Sequence, residues 1–477
     1  MSNALTIYYP FLEKSLLFDK VKGIITLLGI LLVICSILGE TSFLIVPSFV
    51  LLYFIFSWFA VDNYPPAILI GLLYQWMQVS VKVLYATLTF TSLESLTDFP
   101  NHIVDAYLLS CLGLLAMSFG IKSMLKKIKI SYTTIYSYIK SINTKKALLG
   151  YLMFSFGASI LFQLRFVIPG LFQGIVALGY IKWSLFFIVF YMSFKQKKNI
   201  TLLKLVIAYE FLMGFVSYFA DFKTIIFIGL ICYLSIGTFK KKQIPLFIML
   251  FIGMLYIALA WTAVKMDYRE YLNQGSSQQV IKVDGGDAFS YIINSLTNVS
   301  SEKLGDAGID LLDRISYIDY FSSCMSYVPE QRPFENGLLT KNTIMHILVP
   351  RIINPSKPAI DDSKHLTEYT GIFYADAAMG VSFALGYVPD FYIDYGPFFM
   401  ILALFLFGKG IGFIIFSIHK TSLNSLWAMA IMVPLFLLLY KFENSLIKFV
   451  GNLVMFWMVA FLFNKYVAKR IETFMKM

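Results

Sequence analysis

Uninterrupted apolar runs of about 17 to 25 residues recur along nearly the whole chain, and a run of that length crosses roughly 30 Å of hydrocarbon as a helix that satisfies its own backbone hydrogen bonds. The runs fall near 21–39, 43–60, 66–90, 103–121, 147–164, 168–194, 201–219, 224–239, 245–263, 397–418, 425–440 and 446–464, so the spacing predicts an all-α polytopic membrane protein with about twelve transmembrane helices. Composition agrees: with 58% hydrophobic and 14% charged residues, a soluble domain would leave far too much apolar surface in water. The first run, from Val21, follows a mixed polar lead without a small-residue cleavage site and reads as a retained span. Cys35, Cys111 and Cys232 lie inside apolar runs and Cys324 stands alone, so neither a disulfide framework nor a metal site is expected.

Basic residues in short connections are retained on the cytoplasmic side of a membrane. Lysines at 122–146, 195–198, 240–242 and in the tail all fall on one side of a twelve-span trace. Both termini are therefore expected in the cytoplasm and the long polar stretch 264–395 outside it. That stretch holds 17 of the 28 acidic and 10 of the 39 basic residues. The overall charge of +11 is thus a topological signal, and nucleic-acid binding is not implied. The expected organisation is an N-terminal bundle (1–263), an extracytoplasmic loop with its own helices (264–395), and C-terminal helices with a cytoplasmic tail (396–477). The 122–146 connection alternates isoleucines and tyrosines with lysines at helical spacing, a pattern suited to lying on the anionic inner leaflet.

Inside the loop, Asp306 is a candidate cap for one helix running to Pro329, and a second helix is expected from about Asn342 to Pro350. The stretch "MGVSFALGYVPD" is apolar but too short and glycine-rich to cross, which suits a re-entrant or interfacial segment.

The 33 lysines are matched by only six arginines, and five of these, Arg165, Arg269, Arg314, Arg332 and Arg351, lie in the loop or at an outer helix end. A guanidinium fork grips phosphate oxygens in pairs and stays charged near a membrane, so this bias points to phosphate-bearing ligands outside. Each also has a plainer reading: a helix-surface ion pair for Arg314, snorkelling for Arg165, an interface role for Arg269. Lys223 sits at an outer turn, where positive charge is unusual. Lys82, Lys182 and Glu210 lie within spans; a Lys182–Glu210 pair and an ion pathway are both open. For proton transfer the loop offers His346, His365, Asp361, Asp362, Glu368, Asp390 and Asp394, with His365 and Glu368 three apart on a helical face. No nucleotide-binding loop, metal-ligand spacing or nucleophile elbow is present, so a donor must be carried in the membrane itself.

The run "ILVPRIINPSKPAIDD", followed by "EYTG" and "VSFALGYVPDFYIDYGPFFMILALFLFGKG", resembles the C-terminal half of the oligosaccharide repeat-unit polymerases of the O-antigen polymerase (Wzy) type. Pro350, Arg351, Lys357 and Pro358 correspond to that family's Pro-Arg…Lys-Pro element, and Asp390, Tyr392 and Gly396 to its acidic-x-Tyr…Gly element. Lys223 in "FADFKT" stands where the family carries an arginine. The resemblance covers roughly 215–410 and implies a GT-C-like membrane glycosyltransferase of the bacterial inner membrane. It would join undecaprenyl-pyrophosphate-linked repeat units at the outer face without a metal or other cofactor, and would work beside a chain-length regulator. On that footing Arg351, Lys357, Arg332, Arg314, Arg165, Lys223 and Tyr392 would hold the diphosphate and glycan, while Glu368, His365 or Asp390 would serve the acceptor hydroxyl. A lipid-linked glycan flippase and an O-antigen ligase-like transferase remain the alternatives.

Overall fold

The computed structural model describes residues 21–41, 43–61, 64–130, 132–163, 169–216, 222–236, 244–275, 281–349, 354, 357, 360–375 and 382–476. Among them every regular element is helical, as the apolar periodicity predicts. In chain order these are α1 (Val21–Leu38), α2 (Ile45–Phe59), α3 (Ala67–Thr89), α4 (Ile103–Leu125), α5 (Tyr132–Ser141), α6 (Thr144–Gln163) and α7 (Phe172–Gln196). There follow α8 (Ile200–Val216), α9 (Lys223–Ile236), α10 (Ile244–Asn273), α11 (Gly285–Thr297), α12 (Ser301–Ile315), α13 (Ile318–Met325), α14 (Leu338–Leu348) and α15 (Asp362–Thr370). The chain ends with α16 (Tyr387–Thr421), α17 (Ser425–Met432), α18 (Phe436–Leu439), α19 (Leu446–Leu462) and α20 (Ala468–Lys476). Each of the twelve expected apolar runs is helical over most of its length, and seven helices among the described residues are long and apolar enough to cross a membrane.

The central contact is between α4 and α16. Small residues on facing helices let backbones approach closely, and here they are indispensable. A Cβ on Gly120 would lie 2.2 Å from the Phe405 carbonyl oxygen, and one on Gly408 would lie 2.1 Å from that of Met117. This contact fixes α16, whose first two turns carry the residues of interest below. Gly396 separates those turns from the rest of α16, with φ 68° and Pro397 immediately after it, a left-handed conformation that glycine adopts without steric cost. A short buried helix, from Tyr387 to the kink at Gly396, thus precedes the long apolar part of α16, which begins at Pro397, where the span is expected; the short helix includes residues read from sequence as a re-entrant segment, of which Met379–Val381 lie outside the described residues.

The polar stretch is only partly a body of its own. A small apolar core of Phe222, Trp261, Tyr268, Leu272, Ala288 and Ile292 joins α11 to the end of α10, which runs ten residues past its expected limit. By contrast Ile318, Phe321, Cys324, Val328, Leu366 and Tyr369 are part of the main bundle core. The seam is reinforced by Tyr317 N donating to Gln78 O at 3.2 Å and Ser322 Oγ donating to Phe99 O at 2.7 Å.

Several local expectations change. Ser300, not Asp306, caps α12, accepting from Lys303 N at 3.3 Å. The single helix expected from there to Pro329 is two, broken at an extended Ser316. The 122–146 connection buries Ile128, Ile135, Ile139 and Ile142 against protein, not lipid. Gln196 Nε2 donates to the Ile139 and Ile142 carbonyls at 2.6 and 2.8 Å, fastening that segment to α7.

Candidate functional site

The helix α15 organises the site. Its N-cap is Asp361, whose carboxylate accepts from Lys364 N at 3.2 Å, and it stops at Gly371, with φ 69°. Four residues at helical spacing turn one face inward. Asp362 pairs with Lys448 at 2.6 Å and accepts from Ser445 Oγ at 2.8 Å. His365 Nε2 meets Asp390 Oδ1 at 2.8 Å; Leu366 enters the core; Tyr369 donates to Glu335 Oε1 at 2.9 Å. The ring of His365 also lies edge-on to Tyr369, with 4.8 Å between centroids.

The opposing wall is the start of α16, where Asp390 and Asp394 lie one helical turn apart and are both buried. Neither α19 nor α14 has a side-chain cap of its own. Asp390 Oδ2 accepts from Leu446 N at 2.7 Å, while Asp394 accepts from Leu339 N at 2.9 Å and Thr340 N at 2.7 Å. Each carboxylate thus satisfies the orphan donors of a helix start and complements its dipole. Both oxygens of Asp390 are thus engaged, one on His365 and one on the start of α19. Because the carboxylate accepts, Nε2 carries the proton and Nδ1 is the basic nitrogen of the neutral ring. Burial works against charge on His365, but the Asp390 carboxylate, helped by Glu368 and Asp362, raises its pKa above the ordinary imidazole value.

Arg332 closes the other side. Its Nε and Nη2 both reach Glu335 Oε1, at 3.1 and 2.9 Å, its Nη1 reaches Glu368 at 2.9 Å, and the guanidinium stacks on the Tyr369 ring at 4.2 Å. Burial opposes that charge, yet the two carboxylates hold its pKa above the usual guanidinium value. One cation between two carboxylates offers no net positive charge, so an anion can use Arg332 only by displacing the half-exposed Glu368.

The remaining candidates are scattered. Lys357 donates to the carbonyls of His346 and Val349, at 2.9 Å for the second, closing the C-terminus of α14. Tyr392 is buried, donates to Val328 O at 3.1 Å and packs on Phe321 and Phe334, so it braces the site from within. Arg314 is exposed in the last turn of α12, and Lys223 is exposed at the first position of α9. Arg165 and Arg351, with Pro350 and Pro358, lie outside the described residues.

Sequence reasoning missed Glu335, Tyr369, Ser445 and Lys448 as members of this cluster. Lys448 alone left a trace, as a charge just inside an apolar run. Lys82 is buried within hydrogen-bonding reach of Asp313 and Asp319, each at 2.8 Å, and Leu96 O at 2.7 Å. Lys182 and Glu210 pair at 3.0 Å, with Tyr151 donating to the same carboxylate. An open cleft of about 720 Å³ at α10 and α11 shares no residue with the His365 cluster, and Asp267, Glu270, Asp284 and Asp287 make it unsuited to a diphosphate.

No curated protein and no solved structure matches this chain. A family model described as a domain of unknown function, DUF8712, matches residues 71–476, from within α3 to the end of α20, and the chain belongs to that family.

Proposed function

We propose that this protein is a membrane glycosyltransferase that joins polyprenyl-pyrophosphate-linked oligosaccharides, with twelve spans, cytoplasmic termini and the His365 cluster on the extracytoplasmic side. The observation that carries the reading is an imidazole oriented by a buried carboxylate, His365 on Asp390, in the polar region that follows a proline-rich segment holding Arg351 and Lys357. This is an arrangement for taking a proton from a hydroxyl.

In the reaction, the acceptor sugar hydroxyl attacks the anomeric carbon of the donor glycan. The new C–O bond forms as the anomeric carbon's bond to the pyrophosphate oxygen breaks, and the electron pair leaves with the lipid-linked pyrophosphate. The hydroxyl proton passes to His365 Nδ1 and from there to water. Asp390 holds the tautomer and balances the imidazolium. Pyrophosphate leaves readily, so cations around the loop, Lys357 and Lys364 among them, contribute chiefly by holding the departing charge in place. Glu368 exchanges its Arg332 pairing for the acceptor when substrate enters.

The test is the length distribution of lipid-linked glycans in cells carrying His365→Ala in place of the wild type. Single repeat units accumulating outside support the proposal. Units trapped in the cytoplasm would make the protein a flippase, and long chains left on the lipid would make it a ligase.

A further inference from the structure

The exposed face of α14 has the wrong chemistry for water. Its outward arc consists of Leu338, Lys341, Asn342, Ile344, Met345 and Leu348, while Thr343 is buried on the opposite side. Four of these six are large and apolar, where a helix lying on a soluble surface carries mostly polar residues outward. Ile344, Met345 and Leu348 are 51, 53 and 68% exposed. The helix packs on α16 and α19, both apolar enough to span a membrane, and its N-terminus is bonded to Asp394, four residues before Phe398. Phe398 and Phe399 are 87 and 69% exposed, and the apolar belt of α16 continues through Leu402 and Leu406. The outward face of α14 thus starts from the same end of α16 as an exposed apolar belt.

We propose that α14 is an interfacial helix whose outward face is immersed among the acyl chains of the leaflet on its side of the bundle. Lys341 reaches up to the headgroups from that face, as amphipathic lysines do, and the apolar residues around it take up lipid contacts. The immersion does not depend on the glycosyl-transfer reading. If that reading also holds, Lys357, bonded to the last carbonyls of α14, is carried at headgroup depth, where the diphosphate of a lipid-linked substrate lies.

The test uses full-length protein with Cys35→Ser and a single added cysteine, at Met345 or Leu348, or at the exposed Asn298 as control, labelled with an environment-sensitive fluorophore. The protein is placed in vesicles of phosphatidylethanolamine and phosphatidylglycerol, with and without brominated acyl chains. At least two-fold quenching by brominated lipid at 345 and 348, absent at 298, is expected. Quenching at 345 and 348 by aqueous iodide to the same extent as at 298 would overturn the proposal. So would cross-linking between two copies through position 348, which would make the face a contact between chains. Because no transfer is measured, loss of the enzymatic reading leaves this outcome unchanged. Two labelled positions guard against one variant failing to fold.

Discussion

Replacing Asp390 with asparagine separates the two jobs of one buried side chain. The amide oxygen still accepts from Leu446 N, so the start of α19 keeps its cap, but the amide nitrogen now faces His365 Nε2 in place of a carboxylate. The variant loses one charge-assisted hydrogen bond, about 1.5–3 kcal/mol, with no cavity to add to it. The loss depends on pH in a definite direction. His365 has its pKa raised in the folded protein, so its pairing contributes stability that is fully present below the ordinary imidazole pKa and disappears as pH rises through the folded value. The destabilisation by Asp390→Asn is therefore larger at pH 5.5 than at pH 8.5. Thermal unfolding of wild type and variant in the same detergent at the two pH values measures it, read as the difference between the proteins at each pH. Equal shifts at both values, or a larger shift in alkali, would refute the ion pair. The same variant presents an amide donor to the ring and so favours the opposite tautomer, and transfer falls about 10²–10⁴-fold if His365 is the base.

Three further outcomes follow from the packing and pairing. Gly408→Leu drives a side chain into the Met117 backbone and destabilises by about 3 kcal/mol or more, seen as loss of folded protein on size-exclusion chromatography. Lys82→Met strands Asp313 and Asp319 and costs about 3 kcal/mol, somewhat tempered because Asp313 is half exposed; adding Asp319→Asn recovers part of the thermal stability. Asp394→Ala uncaps α14 and costs about 1–2 kcal/mol, with faster amide exchange at Leu339 and Thr340 than at Thr343.

The helical class and the positions of the apolar segments were legible because a bilayer-length apolar run leaves the backbone few choices. The loop was harder for the same physical reason in reverse. Its helix starts are decided by short polar side chains, and Ser300 and Asp306 are both chemically able to cap; Ser300 takes the cap and Asp306 falls inside the helix. The amphipathic pattern around Ile135 and Ile139 says that a face is buried, not whether lipid or protein buries it. His365, Glu368 and Asp390 were legible as titratable residues of the polar stretch, Asp390 also through the resemblance, and His365 and Asp390 meet in the structure. The contacts that fasten the cluster to the bundle were not legible, since Asp362 meets Lys448, and Asp390 meets Leu446, across separations with no local signature. Arg332 was legible as a cation, but not as one already clasped by Glu335 and Glu368.

The measurement that bears most directly on the proposed chemistry is glycan assembly by the purified, reconstituted protein. Vesicles would carry it together with fluorescently tagged polyprenyl-pyrophosphate-linked repeat units extracted from cells that lack it. The account predicts a ladder of products growing by whole repeat units with the wild type and none with folded His365→Ala; a ladder that persists undiminished in His365→Ala, or wild-type protein that leaves the units unjoined, would contradict it.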